Sequence, residues 1–183
     1  MNLHQMVVDA LWANFAIADI SANGIDRLTP EYQDAAIHEA AHAVVAVVMR
    51  MTPRKVTIKP RSRKFKYVVG MVDRSGYMEP KTREAVIKRL NKELTIDCSG
   101  VVATTMWNDQ EIDESILENK EAAMDARKLD FLENNEHKMA FIKQAKAMLL
   151  DHWTALRIVA DELAEKYTLL LVKRSGSLSS LEI

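Results

Sequence analysis

Between Leu3 and Ile20 the apolar residues Val7, Leu11, Phe15 and Ala18 recur at three- and four-residue spacing, the period of a helix that buries one stripe. Ser21-Ala22-Asn23-Gly24 ends the pattern. Residues 1–29 thus read as an amphipathic helix and linker, with one domain over 30–183. Thr29-Pro30-Glu31 has the form of an N-cap followed by proline at the first helical position. Ala35 to Met51 is then almost continuously apolar, which predicts the most buried helix of the chain, ended by Pro53. Lys55-Val56-Thr57-Ile58-Lys59 alternates polar and apolar, and Lys66 to Val72 does so more loosely, predicting a β-hairpin across Pro60 to Lys64. From Pro80 the helical period returns through Ala85, Leu90, Leu94 and Cys98, into the small residues Ser99-Gly100-Val101-Val102-Ala103 that permit close helix packing. An acidic loop is expected over Asn108 to Asp113, and a helix over about Glu114 to Phe131. A long final helix, with Trp153, Leu156 and Val159 on its packed face, is expected from Glu136 to Tyr167, then a polar tail. The expected fold class is mainly α, or α+β with a small β-hairpin.

Composition narrows the function. The chain has 183 residues, 48% hydrophobic and 28% charged, with 5 Gly and 4 Pro, ordinary usage for one globular core with sparse punctuation. Its net charge of −1 argues against a nucleic-acid partner. The basic run Arg61, Arg63, Lys64 and Lys66 reads as a solvated hairpin tip. No apolar run approaches the roughly 20 residues of a membrane span, and the N-terminus lacks the basic start and apolar core of a signal peptide, so no membrane partner is expected. Cys98 is the only cysteine, which excludes an intramolecular disulfide and a Cys-rich zinc cluster and suits the reducing cytoplasm. It reads as a buried small hydrophobe. Any metal site must use His and carboxylates.

One motif carries chemistry, His38-Glu39-Ala40-Ala41-His42 inside the predicted core helix. Residues four apart share a helical face, so both imidazoles can reach one zinc ion at about 2.0–2.1 Å. Glu39 stands beside the pair as a general base for a water attacking a peptide carbonyl. Ala41, Val44, Val45 and Val48 read as packing, and His4, His137 and His152 lack partners at ligand spacing. A catalytic zinc site needs a third protein ligand. Ala43-Val44-Val45 follows His42, so the extended motif with a third histidine six residues on is absent. Glu84, Glu93, Asp113, Glu118, Glu121 and Asp125 remain carboxylate candidates, and the last three that share a helical face, Glu118, Glu121 and Asp125, are not separated by periodicity.

The chain resembles the peptidase domain of the FtsH-type ATP-dependent zinc metalloproteases. His38-Glu39-Ala40-Ala41-His42-Ala43 is similar to that family's His-Glu-Ala-Gly-His-Ala, with Ala41 in place of the glycine. Pro53 to Arg61, Val69-Gly70-Met71 and Ser99-Gly100-Val101-Val102-Ala103 resemble its two strands and glycine-rich helix. Laying Ala122 and Ala126-Arg127 on the family's pattern implies Glu118 as third zinc ligand, where the family has aspartate. The resemblance implies a zincin-like helical zinc peptidase domain and a zinc metalloendopeptidase. The chain has no room for the family's ATPase module or membrane anchors. The expected substrate is therefore a flexible or unfolded polypeptide, with a separate ATPase or unfoldase as a further partner, and self-association is expected from ring-forming relatives. The alternative is a catalytically inactive, peptidase-like protein-binding module.

Overall fold

The computed structural model describes residues 29–51, 53, 55–60, 68–73, 80–118, 129, 132, 134–166 and 168–170. The expected N-terminal helix, the hairpin tip, the polar tail, and Glu121 and Asp125 lie outside them. Four α-helices stand among the described residues, with a three-stranded sheet. The mainly helical fold with a small hairpin is as the sequence implies.

Helix α1, Pro30–Val48, is the core. Thr29 is its N-cap, in extended backbone, and Pro30 opens it, where the missing N–H costs nothing. Ala36, Ile37, Ala40, Ala41, Ala43, Val44, Val45 and Ala46 are all buried, so the helix is enclosed on every side rather than along one stripe. Its end differs from the expectation that Pro53 stops it. Met51 N–H donates to Ala46 O at 2.7 Å and Arg50 N–H to Val47 O at 2.9 Å, with Arg50 at φ 60°. That is a Schellman closure with arginine in the position usually taken by glycine.

Strand β1, Lys55–Pro60, pairs antiparallel with β2, Val68–Asp73, with Val56 opposite Val72 and Ile58 opposite Gly70. The hairpin is therefore formed as read. A third strand, β3, Thr168–Leu170, pairs with the other edge of β1. The sequence reading did not foresee it. Val56 and Ile58 are fully buried, and α1 packs against both β1 and β2.

Helix α2, Arg83–Trp107, is N-capped by Thr82, whose Oγ1 accepts from Ala85 N–H at 3.2 Å. Burial begins only at Leu94 and runs to Thr105. The preceding turns project outward, leaving Val86, Ile87 and Leu90 exposed, so Leu90 is not the core residue its spacing suggests. A second Schellman closure ends α2, with Gln110 N–H on Thr105 O and Asp109 at φ 53°. The expected helix over Glu114 to Phe131 begins as a 3-10 turn, Glu114–Glu118. Ile116 is buried and Leu117 half-buried, which anchors this turn on the core.

The long final helix is two helices, α3 Asn135–Asp151 and α4 Trp153–Lys166. At the junction the His152 imidazole donates through Nδ1 to Met148 O at 2.9 Å, taking the carbonyl that the backbone N–H of His152 would use in a continuous helix. That N–H turns to Leu149 O instead. Ile142, Ala145 and Leu149 on α3 and Leu156, Val159, Ala160 and Leu163 on α4 are all buried. Their period runs unbroken through the junction, so the apolar pattern conceals the break. α4 packs on α1 and the sheet, and α3 on α2.

Candidate metal centre

α1 and α2 lie antiparallel in a register fixed at four levels. Lys92 Nζ donates to Met49 O at 2.7 Å, His42 Nδ1 lies 2.7 Å from Ile96 O, His38 lies over Gly100, and Asn108 Nδ2 donates to Asp34 Oδ1 at 3.2 Å. The rise of about 1.5 Å per residue is the same in both helices, so the four residues from His42 back to His38 match the four from Ile96 on to Gly100 and keep both imidazoles opposed to α2. The imidazoles therefore meet the middle of α2.

Gly100 makes the approach possible. A Cβ built on it would lie 2.5 Å from His38 Nε2, 2.6 Å from Cε1 and 2.7 Å from Cδ2, far inside the roughly 3.5–4.0 Å of an ordinary carbon contact. A glycine inside a helix costs about 1 kcal/mol relative to alanine. Here the space it leaves is filled by the face of the His38 ring.

The two histidines converge. Nε2 of His38 and Nε2 of His42 are 3.1 Å apart, with the rings edge-on at 85° and their centroids 4.7 Å apart. A carbonyl only accepts, so the 2.7 Å contact to Ile96 O places a proton on His42 Nδ1. In the neutral ring Nε2 is then the bare nitrogen, and the short Nε2–Nε2 contact makes His38 its donor. With the His38 proton moved to its Nδ1, the positions of the two Nε2 atoms also fit a shared ion. With metal–nitrogen distances of about 2.0–2.1 Å, nitrogens this far apart subtend roughly 100° at the metal, close to a tetrahedral angle. In zinc sites a ring nitrogen anchored on a backbone carbonyl orients the ligating imidazole, and His42 has such an anchor in Ile96 O.

Glu39 follows His38 on α1 and is buried, as is His42. Two polar side chains in the most enclosed helix of the fold stand apart from the alanine and valine around them.

The carboxylate candidates separate by position. Glu84 and Glu93 stand about 24 Å and about 10 Å along α2 from Gly100, and the Glu93 carboxylate is paired with Arg89 at 2.8 Å. Neither is brought to the imidazoles. Asp113 is exposed and accepts from the hydroxyl and the backbone N–H of Ser115. These bonds, the hydroxyl's first, hold its carboxyl below its ordinary value. Glu118 ends the 3-10 turn, and its side chain, like Glu121 and Asp125, lies outside the description. Among the described residues no third His, Cys, Asp or Glu joins the pair.

Sequence reasoning missed Ile96 and Ser99, which hold His42. Ser99 Oγ donates to Ile96 O at 2.6 Å and lies 3.3 Å from His42 Nδ1. A backbone carbonyl leaves no mark in a sequence, but a buried Ser-Gly step inside a long helix does. No protein-family model matches the chain, and no curated protein matches it either.

Proposed function

We propose that this chain is a zinc-dependent metallopeptidase domain acting on flexible or unfolded polypeptide, the activity implied by its resemblance to the FtsH-type peptidase domain. The observation that carries the proposal is the convergence of the His38 and His42 Nε2 atoms to 3.1 Å, with His42 anchored from behind on Ile96 O. An N–H···N bond joins the two rings without metal, and the same two nitrogens stand at the spacing of two ligands of one tetrahedral ion once the His38 proton moves to its Nδ1.

In this reading His38 and His42 hold the ion, with Glu118 as third ligand. The ion supplies Lewis acidity, polarising the scissile carbonyl and making a water easier to deprotonate. Glu39 does the proton work. It takes a proton from the attacking water as oxygen adds to the carbonyl carbon, and passes it to the amide nitrogen as the C–N bond breaks. Its burial keeps the carboxylate in a low dielectric, where proton transfer is not diverted to bulk solvent. Strand β2 has β1 on one side and no strand on the other among the described residues, and it packs beside α1. That edge offers backbone hydrogen bonds to an extended peptide with little sequence preference.

The test is cleavage of casein by the zinc-loaded chain and by Glu39→Gln. The substitution keeps shape and hydrogen bonding but removes the base, so cleavage should fall by at least 100-fold while zinc stays bound. A wild-type chain that binds zinc and leaves casein, with or without an added unfoldase, as intact as Glu39→Gln does would favour the protein-binding module instead.

A further inference from the structure

Ser99 is fully buried in the middle of α2, where its hydroxyl must find partners or cost stability. It finds two. The O–H donates to Ile96 O at 2.6 Å, three residues back along its own helix. From the facing helix, α1 delivers His42 Nδ1 to the same oxygen at 2.7 Å. With its proton committed to the carbonyl, the Ser99 oxygen turns lone pairs to the Nδ1 proton, 3.3 Å from the ring nitrogen. The proton of His42 is thus held between two oxygens on one turn of α2, and the whole triangle is buried.

We propose that Ser99 is a positioning residue for the imidazole pair. As a second acceptor it reinforces the Nδ1 proton that Ile96 O fixes, and so helps keep the bare Nε2 turned toward His38 and toward the ion the two would share. The consequence for metal rests on the zinc reading given above. The tautomer does not, because it is a property of the metal-free protein.

The experiment is a long-range 15N–1H correlation spectrum of the full chain labelled at histidine nitrogens, recorded metal-free where the rings are neutral. Wild type should show His42 with a protonated Nδ1 and a bare Nε2. In Ser99→Ala the two nitrogen shifts should move toward each other as the ring begins to exchange tautomers, and zinc affinity, measured by competition with a chromophoric chelator, should fall about tenfold. Ser99→Cys, nearly isosteric, should fall between. Helical circular dichroism should stay at the wild-type level, since alanine is the better helix former. Wild-type spectra with His42 protonated on Nε2, or Ser99→Ala spectra identical to wild type, would overturn the proposal without touching the pair's capacity for zinc. Wild-type protein that refuses zinc while Ser99→Ala still shifts the tautomer would sink the metal reading and leave the positioning of His42 by Ser99 standing.

Discussion

Gly100→Ala sets two effects of known size against each other. Alanine in a helix interior stabilises by about 1 kcal/mol relative to glycine. Against it, the new methyl falls 2.5 Å from His38 Nε2, so ring or helix must move by about 1 Å to restore ordinary contact. Overpacking of this kind costs about 1–3 kcal/mol. The net is a loss of about 0–2 kcal/mol by urea denaturation, where an unobstructed helical glycine would give a gain. The site suffers more than the fold, because metal–ligand distances tolerate only about ±0.2 Å and the displaced atom is a proposed ligand. Zinc affinity should therefore drop by at least tenfold. A double-mutant cycle isolates the cause: in a His38→Ala background the methyl meets no ring, and Gly100→Ala should become stabilising, giving a coupling energy of about 1–3 kcal/mol. If Gly100→Ala stabilises by a full 1 kcal/mol in both backgrounds, the seat for His38 described above is wrong.

Other outcomes follow from the helix ends and loops. Arg50 holds a left-handed conformation at φ 60°, which costs a non-glycine residue roughly 1–2 kcal/mol; Arg50→Gly should recover about 0.5–1 kcal/mol after glycine's own entropy, read as a higher urea midpoint with unchanged slope. Lys92→Met removes the donor to Met49 O while keeping the stem, and should cost about 1–2 kcal/mol in the same assay. The Asp113 carboxyl lies below its ordinary 3.8 because of its bonds from Ser115. A folded value below the unfolded one contributes stability that is present above 3.8 and lost as pH falls through the lowered value. The Ser115 amide proton should therefore lose its downfield shift only below the normal carboxylate range, and Asp113→Asn should make that shift independent of pH.

What could be seen in the sequence divides along physical lines. The core helix, the hairpin and the placing of His38 and His42 on one helical face were legible because each depends on spacing, which a chain displays directly. The break at His152 was not. The apolar period passes through it undisturbed, and what marks it is a ring nitrogen on one carbonyl, which spacing does not display. Helix ends were hidden for a related reason: with 5 glycines in the chain, Arg50 and Asp109 take the left-handed positions, and neither advertises a stop. β3 is three residues long and exists through pairing with β1, a partner more than a hundred residues away. Leu90 shows the converse, since a helical period assigned it to the core although α2 outruns its neighbours there. At the site, Ser99-Gly100 was read as a place for close packing, and it is one, with the His38 imidazole as the packed group.

The most direct measurement is zinc per chain by elemental analysis, after reconstitution and removal of loose metal, for the wild type and for His38→Ala and His42→Ala. Convergent imidazoles that hold an ion require close to one zinc per wild-type chain and close to none in either variant, with circular dichroism unchanged. Zinc absent from the wild type, or retained undiminished when both rings have been removed in turn, would contradict the assignment.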